Sequence, residues 1–255
     1  FGVDLHHIDL NVRAGEVVGI AGVSGNGQKE MLYALSGEDT RAEPAMVNLA
    51  GRAVGRLGPR PRRALGLHFV PEERLGRGAV PSLSLAHNLL LTRDNAVGAG
   101  GWIRQAELRR HAQALIGRFN VKANGPDASA RSLSGGNLQK FIVGREIDAN
   151  PTLLIVSQPT WGVDVGAAAQ IRGAILALRD AGCAVLVFSE ELDELFEISD
   201  RLHVMAHGRL SPSLDRADAT VSRIGEWMSG LWSAEVQAHL AAVEQNRREA
   251  AHDPA

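Results

Sequence analysis

Two stretches of this chain combine residue types and spacings that could handle phosphate. The first is Leu133-Ser134-Gly135-Gly136-Asn137-Leu138-Gln139-Lys140, which opens an apolar, helix-patterned segment through Phe141, Ile142, Val143 and Ile147. Glycines at 135 and 136 let the backbone approach a ligand closely, and the Ser134 hydroxyl with the first free N–H groups of the helix then points at negative charge. Taken alone, the octapeptide also reads as an ordinary N-cap serine followed by two loop glycines. The second stretch is Gly22-Val23-Ser24-Gly25-Asn26-Gly27, set between the apolar run Glu16 to Ala21 and the helix-patterned Gln28 to Leu35. A working phosphate loop reads G-x-x-x-x-G-K-[ST], with the lysine on the β/γ-phosphates and the hydroxyl on Mg²⁺. Gly22 and Gly27 hold their places and Gly25 adds backbone freedom, but Gln28 takes the lysine position, Lys29 the hydroxyl position, and Glu30 follows. One step along a helix turns a side chain by about 100°, so Lys29 does not replace the missing lysine.

The elements that must position these stretches alternate. Glu16 to Ala21 reads as a buried strand, the glycine loop follows, and Gln28 to Leu35 is the helix behind it. Strand, glycine-rich loop, helix is the setting a phosphate loop needs. Upstream, Val3, Leu5, Ile8, Leu10 and Val12 lie among polar positions as in a half-buried strand or hairpin. Ala45 to Ala50 and Leu65 to Val70 read as strands, the latter stopped by Pro71, with Arg56 to Arg63 as a loop or short helix. Leu85 to Leu91 and Gln105 to Phe119 carry helical periodicity, separated by the Gly-rich linker Val97 to Gly101. Then come a strand over Thr152 to Val156, a helix over Gly166 to Asp180, a strand over Cys183 to Phe188, a helix over Glu190 to Ile198 and a strand over Leu202 to Met205. This alternation predicts a parallel α/β sheet, with the helices between Leu85 and Gln139 as an insert. Glu235 to Ala250 reads as a charged, Ala-rich helix and a solvated tail.

Bulk properties narrow the partners. The 255 residues carry a net charge of −2, with a sequence pI near 6.5, so no general attraction to nucleic acid or anionic lipid is indicated. The single cysteine, Cys183, sits in an apolar run and suits a reducing cytosol. The strongest apolar stretches, such as Ala184 to Phe188, are strand-sized, far below the roughly 20 residues of a spanning helix. No signal peptide is visible. His6, His7, His68 and His111 have no metal-ligand spacing, and Trp227 and Trp232 read as packing residues.

Downstream residues turn these pieces into a pattern. Leu153-Leu154-Ile155-Val156-Ser157-Gln158-Pro159-Thr160-Trp161-Gly162-Val163-Asp164 resembles the Walker B segment and D-loop of ATP-binding-cassette (ABC) ATPases, and Leu133 to Lys140 resembles that family's signature motif. Ser199-Asp200-Arg201 and Met205-Ala206-His207-Gly208 are similar to the family's closing segments. The resemblance runs from about Val3 to Leu231 and sets an unrelated P-loop kinase aside. It implies a P-loop NTPase (RecA-like) α/β core with an N-terminal antiparallel β portion and an inserted α-helical subdomain. The cassette would cover 1–232, with core about 1–83 and 141–232 and insert about 84–140, before the tail 233–255.

The resemblance also assigns roles, and several positions depart from it. Gly22, Ser24, Gly25, Asn26, Gly27, Gln28, Lys29 and Glu30 correspond to the nucleotide-binding loop. Ser157 stands where the family places the Mg²⁺-ordering aspartate, so no metal ligand is expected there. Gln158 replaces the water-polarising glutamate, Glu72 the Q-loop glutamine and Glu190 the switch histidine, making these three degenerate catalytic positions. Both Mg²⁺ ligands and the water-activating acid are gone, so weak or Mg²⁺-free binding of ATP and poor hydrolysis are expected. The open alternative is that Gln158 simply blocks hydrolysis and leaves a trapped, structural nucleotide. Leu133, Ser134, Gly135, Gly136, Asn137 and Gln139, by contrast, are intact and would meet the ATP of an opposing cassette, with Asp164 near the shared interface. Mg²⁺ is then expected only in that partner's site.

Gly25-Asn26-Gly27-Gln28, the signature run, Val70-Pro71-Glu72-Glu73-Arg74 and Ile224-Gly225-x-x-Met228-Ser229-Gly230 resemble the second cassette of tandem ATP-binding proteins in bacterial importers of simple sugars and nucleosides. Ser157-Gln158-Pro159 and Ser189-Glu190-Glu191-Leu192-Asp193 lean towards the nucleoside branch, from which Trp161 departs. This implies an upstream first cassette in the same polypeptide, in keeping with the start at Phe1-Gly2. It implies transmembrane permease subunits docking near Glu72 to Leu85, indirect work with a periplasmic solute-binding protein, and a place at the cytoplasmic face of the inner membrane. No nucleic-acid partner is expected. The alternatives are a non-hydrolytic regulatory module and a non-transport ABC protein acting on ribosomes or DNA, for which basic linkers are lacking.

Overall fold

The computed structural model describes residues 2–93 and 101–230. The Val97–Gly101 linker lies almost wholly outside the described residues, and Trp232 and the Glu235–Ala250 tail entirely so. In chain order the strands are β1 (Val17–Ala21), β2 (Asn48–Leu49), β3 (Arg52–Ala53), β4 (Leu67–Val70), β5 (Leu153–Ser157), β6 (Ala184–Ser189), β7 (Arg201–Ala206), β8 (Arg209–Leu210) and β9 (Leu214–Asp215). The helices are α1 (Gln28–Ser36), α2 (Pro59–Ala64), α3 (Leu85–Leu90), α4 (Gln105–Arg118), α5 (Gly135–Ile147), α6 (Val165–Asp180), α7 (Leu192–Ile198) and α8 (Val221–Met228).

Val, Ile and Leu runs form a parallel sheet ordered β4-β5-β6-β1-β7, with β8 and β9 joined antiparallel to β7. Such strands are covered on both faces, which is why their sequences are continuous apolar runs. Alternate residues feed two cores. Val17, Ala21, Val156 and Val187 pack with α3 to α8, while Val18, Ile20, Ile155 and Phe188 pack against Met31 and Leu32 of α1. The register decides what meets at the carboxyl ends of the strands. Ala21 of β1 pairs with Ser189 of β6, and Ser157 of β5 pairs with Phe188, so the residues that follow each strand converge.

The N-terminal stretch differs from the expected strand. Leu5, Ile8, Leu10 and Val12 do pack on the β1/α1 core, so their alternation reports half-burial. The segment gains no ladder; its backbone reaches the fold through contacts such as the His6 N–H donating to the Gly208 carbonyl (2.8 Å). The antiparallel pairing near this end is instead the short β2–β3 hairpin. The strand expected over Ala45 to Ala50 is likewise shortened, because Pro44 starts a 3-10 turn through Met46.

Arg62 and Glu146 are the charged side chains with no exposed surface among the described residues. Arg62 is fully buried and donates to the carbonyls of Leu57 (2.8 Å), Leu35 (2.7 Å), Gly55 (3.0 Å) and Ala34, gripping the carboxyl end of α1, where a cation is favoured. Its burial holds the guanidinium below its ordinary pKa. Arg62→Met should cost about 3 kcal/mol, since several carbonyls would lose their donor at once; urea unfolding followed by circular dichroism measures it, and a loss under about 1 kcal/mol would show that water replaces the guanidinium. The second, Glu146 of α5, binds Arg145 (2.8 Å), Arg63 (2.7 Å) and His68 (2.8 Å), while Arg145 also donates to the carbonyls of Asn88 and Gly78. This network ties α5 to β4 and to the start of the helical portion. It engages the His68 ring, as Asp148 (2.7 Å) engages that of His111.

Candidate functional site

The Gly22 loop has the backbone of a phosphate cradle. Gly25 and Gly27 adopt φ of 89° and 109°, left-handed values that favour glycine, and Gly27 caps α1. A Cβ on Gly22 would sit 2.5 Å from Gln28 Nε2 and 2.6 Å from the Met205 carbonyl, so only glycine fits. Asn26 braces the loop from behind, its side-chain oxygen accepting from the His207 N–H (2.9 Å) and its own carbonyl accepting from the Gly208 N–H (2.8 Å).

The side chains at 28 to 30 engage groups of the chain itself. Gln28 folds back on the loop: its Oε1 accepts from the Asn26 N–H (3.1 Å) and its Nε2 donates to the Val23 carbonyl (2.9 Å). Lys29 is exposed and leans over Tyr33, 5.6 Å from the ring centroid. Glu30 turns away to accept from the Val3 N–H (3.2 Å).

A cavity of about 250 Å³ opens beside this loop, and sheet register fills its walls with Glu72, Ser157, Gln158 and Glu190, the positions singled out from sequence. Ser157 is buried at the end of β5. Gln158 follows in a left-handed backbone (φ 50°), which a non-glycine residue holds only under constraint. Its N–H donates to the Phe188 carbonyl (2.8 Å) and its Oε1 accepts from the Glu190 N–H (3.2 Å). The Glu190 carboxylate in turn accepts from the Ser24 N–H (2.8 Å). Glu72 is raised above the ordinary carboxylate range, first by burial and then by the charges of Glu73 and Glu190. A phosphate needs the loop's free N–H groups, and those of Ser24 and Asn26 are already bonded to Glu190 and Gln28. Two of the loop's donors are thus engaged by the chain's own side chains. Among the described residues, no group of three or more His, Cys, Asp or Glu side chains is arranged to hold a metal ion.

Arg77 and Glu73 also line this cavity and were not singled out from sequence. Arg77 pairs with Glu73 (3.1 Å) and Glu38 and stacks on Tyr33 (4.7 Å) and Phe69 (5.3 Å). The cavity therefore holds a second cation besides Lys29, already engaged by carboxylates.

The Leu133–Gln139 run lies outside this cavity's lining. Ser134 caps α5: its Oγ accepts from the Asn137 N–H (3.4 Å) and side-chain amide (2.9 Å). Ser134 and Gly135 are exposed, Leu133 is half-buried against the core, and Asn137 holds the Lys122 N–H (2.8 Å). Gln139 is buried, accepting from Arg74 Nε (3.1 Å) and donating to the Pro159 carbonyl (3.0 Å), so it positions the run from beneath. Arg74 also donates to the Trp161 carbonyl, and its guanidinium would lie 2.9 Å from a Cβ on Gly135. A Cβ on Gly136 would meet Asp164 Oδ2 at 3.2 Å; Asp164 caps α6 by accepting from the Ala167 N–H (2.9 Å). Gly136 thus lets α5 approach the start of α6, while Gly135 leaves room for Arg74. A buried Glu194, raised by its burial, joins Thr160 (2.6 Å) to Ser189 (2.7 Å), linking the segments after β5 and at the end of β6.

Comparison with known proteins gives the family and the fold. A family model described as ABC transporter matches residues 5–161. The chain is 44% identical over 230 residues to the glucose import ATP-binding protein TsgD13 of Haloferax volcanii, covering 89% of this chain and 42% of that protein. It is 39% identical over 225 residues to the guanosine import ATP-binding protein NupO of Bacillus subtilis, covering 88% and 44%. It is 40% identical over 225 residues to the nucleoside import ATP-binding protein NupA of Lactococcus lactis, again covering 88% and 44%. The chain spans less than half the length of these relatives. Among solved structures it is similar to a dimeric ATP-binding cassette in a post-hydrolysis state bound to ADP and Pi, with a TM-score of 0.70 at 21% identity, covering 83% of this chain and 90% of that one. A nucleotide-free cassette from an ABC transporter gives a TM-score of 0.70 at 21% identity, covering 92% of each chain. At that identity the likeness establishes the fold alone.

Proposed function

The chain belongs to the ABC transporter family as an ATP-binding domain, and from that premise we propose that it is a helper cassette of an importer for nucleosides or simple sugars. Its own nucleotide site is degenerate, and its signature run completes the ATP site of an opposing cassette. The observation that carries this reading is an asymmetry. At the Gly22 loop, Gln28 stands in the lysine position and two loop N–H groups are held by the chain's own side chains. At the signature, Ser134 and Gly135 are exposed at the start of a capped helix. A helix N-terminus with free N–H groups favours an anion, so Ser134, Gly135 and Gly136 can face the γ-phosphate of a nucleotide held by the partner. ATP, with its Mg²⁺, is then used mainly in that partner's site.

In this reading the opposing cassette lies upstream in the same polypeptide, and the greater length of the relatives supports it. The names of those relatives support the import role and the solute class. No helix among the described residues is long and apolar enough to cross a membrane. Attachment to the cytoplasmic face of the membrane would come from permease subunits docking near Glu72 to Leu85, where a cavity of about 130 Å³ is lined by residues including Phe69, Pro71, Arg77 and Thr92. A periplasmic solute-binding protein would act through those subunits.

Phosphate release tests the reading. The chain alone should be silent with Mg-ATP, and mixing it with a cassette that carries intact Walker residues should produce turnover above that of either component. Turnover by the chain alone at an ordinary ATPase rate, on the order of 1 s⁻¹ or faster, would overturn it.

A further inference from the structure

We propose that Glu190 is a tethered anion occupying the phosphate seat of the Gly22 loop, so that nucleotide must displace this carboxylate to bind there. The proposal rests on the reading above that this loop is the chain's own nucleotide seat.

The sheet puts Glu190 in place. β6 runs beside β1 in parallel register, with Ser189 opposite Ala21, so Glu190 emerges next to the loop that begins at Gly22. Its backbone is fixed on two sides. The Gln158 side chain takes the Glu190 N–H, and the Ser189 hydroxyl accepts from the Glu191 N–H (3.1 Å) while donating to Glu194. From that anchored start the Glu190 carboxylate reaches the Ser24 N–H at 2.8 Å. A carboxylate on a loop N–H ahead of a helix start is the same chemistry as a phosphate oxygen there: negative charge on a backbone donor near a positive helix end. Because it belongs to the chain, its effective concentration is high without any free ligand. Gln28 holds the Asn26 N–H in a parallel way, so a second loop donor is also satisfied internally.

The acids nearby do not fill this role. Glu72 lines the same cavity without a bond to the loop, and Glu73 is turned to Arg77. Gln158 explains why the position is held: a side-chain oxygen there accepts from Glu190 N–H, and the carbonyl-facing N–H of Gln158 ties back to β6. The degenerate residues at 28, 158 and 190 therefore act as one closure of the loop.

Isothermal titration of the 255-residue chain with ADP, with and without Mg²⁺, tests the closure independently of hydrolysis. Glu190→Gln should tighten ADP binding by about tenfold or more, because a neutral amide is a weaker partner for the Ser24 N–H than a carboxylate. Glu191→Gln makes the same charge change one residue on and should leave affinity within about twofold. The Ser24 amide resonance, read by NMR without ligand, should move in Glu190→Gln and stay in Glu191→Gln. Equal ADP affinity in the wild-type chain and Glu190→Gln, or equal tightening in both variants, would overturn the proposal. Weak binding throughout would do so while leaving the degenerate-site reading intact; tight binding by the wild-type chain would overturn both.

Discussion

Glu146→Ala should lower the stability of the chain by about 3–5 kcal/mol, among the largest effects of any single replacement in it. Glu146 is fully buried, and its two oxygens serve Arg145, Arg63 and His68. Removing it leaves the buried Arg145 guanidinium with two carbonyls and no counter-charge, and uncouples α5 from β4. The loss has a pH signature as well. Burial pushes the Glu146 carboxyl up, but the charge of Arg145, the hydrogen bond from His68 and the charge of Arg63 more than offset this and hold it at about 2, against 4.5 for an ordinary glutamate. A folded value below the unfolded one means the contribution is complete above about pH 4.5 and disappears as pH falls towards 2. Across that window it amounts to roughly 3 kcal/mol. Denaturant midpoints taken between pH 6 and 3 should fall more steeply for the wild-type chain than for Glu146→Ala. Parallel slopes would mean that the acid limb comes from other carboxylates.

Ser134→Arg should reduce phosphate release by the mixed pair of cassettes about 100-fold or more, while Ser157→Ala should change it less than twofold. The first places a long cation at an exposed helix start that, in the proposed reading, meets the partner's nucleotide; losing one donor aimed at developing charge commonly costs about 10²–10³ in rate. The fold should tolerate it, since the lost N-cap at Asn137 is worth only about 1 kcal/mol. The second removes a buried hydroxyl at the position of a metal ligand, and in a helper cassette no metal chemistry depends on it. Equal losses in the two variants would place working chemistry in this chain's own loop. An unaffected Ser134→Arg pair would separate the signature run from the partner's site.

The fold was largely legible because its signals are local. The strands β1, β5 and β6 are mostly apolar runs, and α1, α4 and α6 carry helical spacing ended by Gly37, Phe119 and Ala181. The N-terminal stretch was misread for the same reason. Alternating apolar residues report that one side of a segment is buried, and Leu5, Ile8, Leu10 and Val12 are packed as the pattern demands. Alternation does not say whether a ladder partner lies alongside, and here the segment stays outside the sheet.

By itself, the amino-acid sequence determined the glycine loop between a strand and a helix, the Leu133–Lys140 run and the glutamine in the lysine position at Gln28, because each depends on residue type at a fixed spacing, while the missing acids at Ser157 and Gln158 were read only from the family resemblance. The tertiary structure alone decided what these residues do with their free groups. Glu190 meets Ser24 across 166 positions of chain, and Arg74 joins Gln139 and Trp161 across 65 and 87. Those meetings follow from the order of the sheet, in which β6 lies between β5 and β1 and brings three strand ends to one place. Local periodicity carries no information about that order. The same residue, Glu190, stands at a switch-histidine position by resemblance alone, and in the fold it accepts from the Ser24 N–H of the glycine loop.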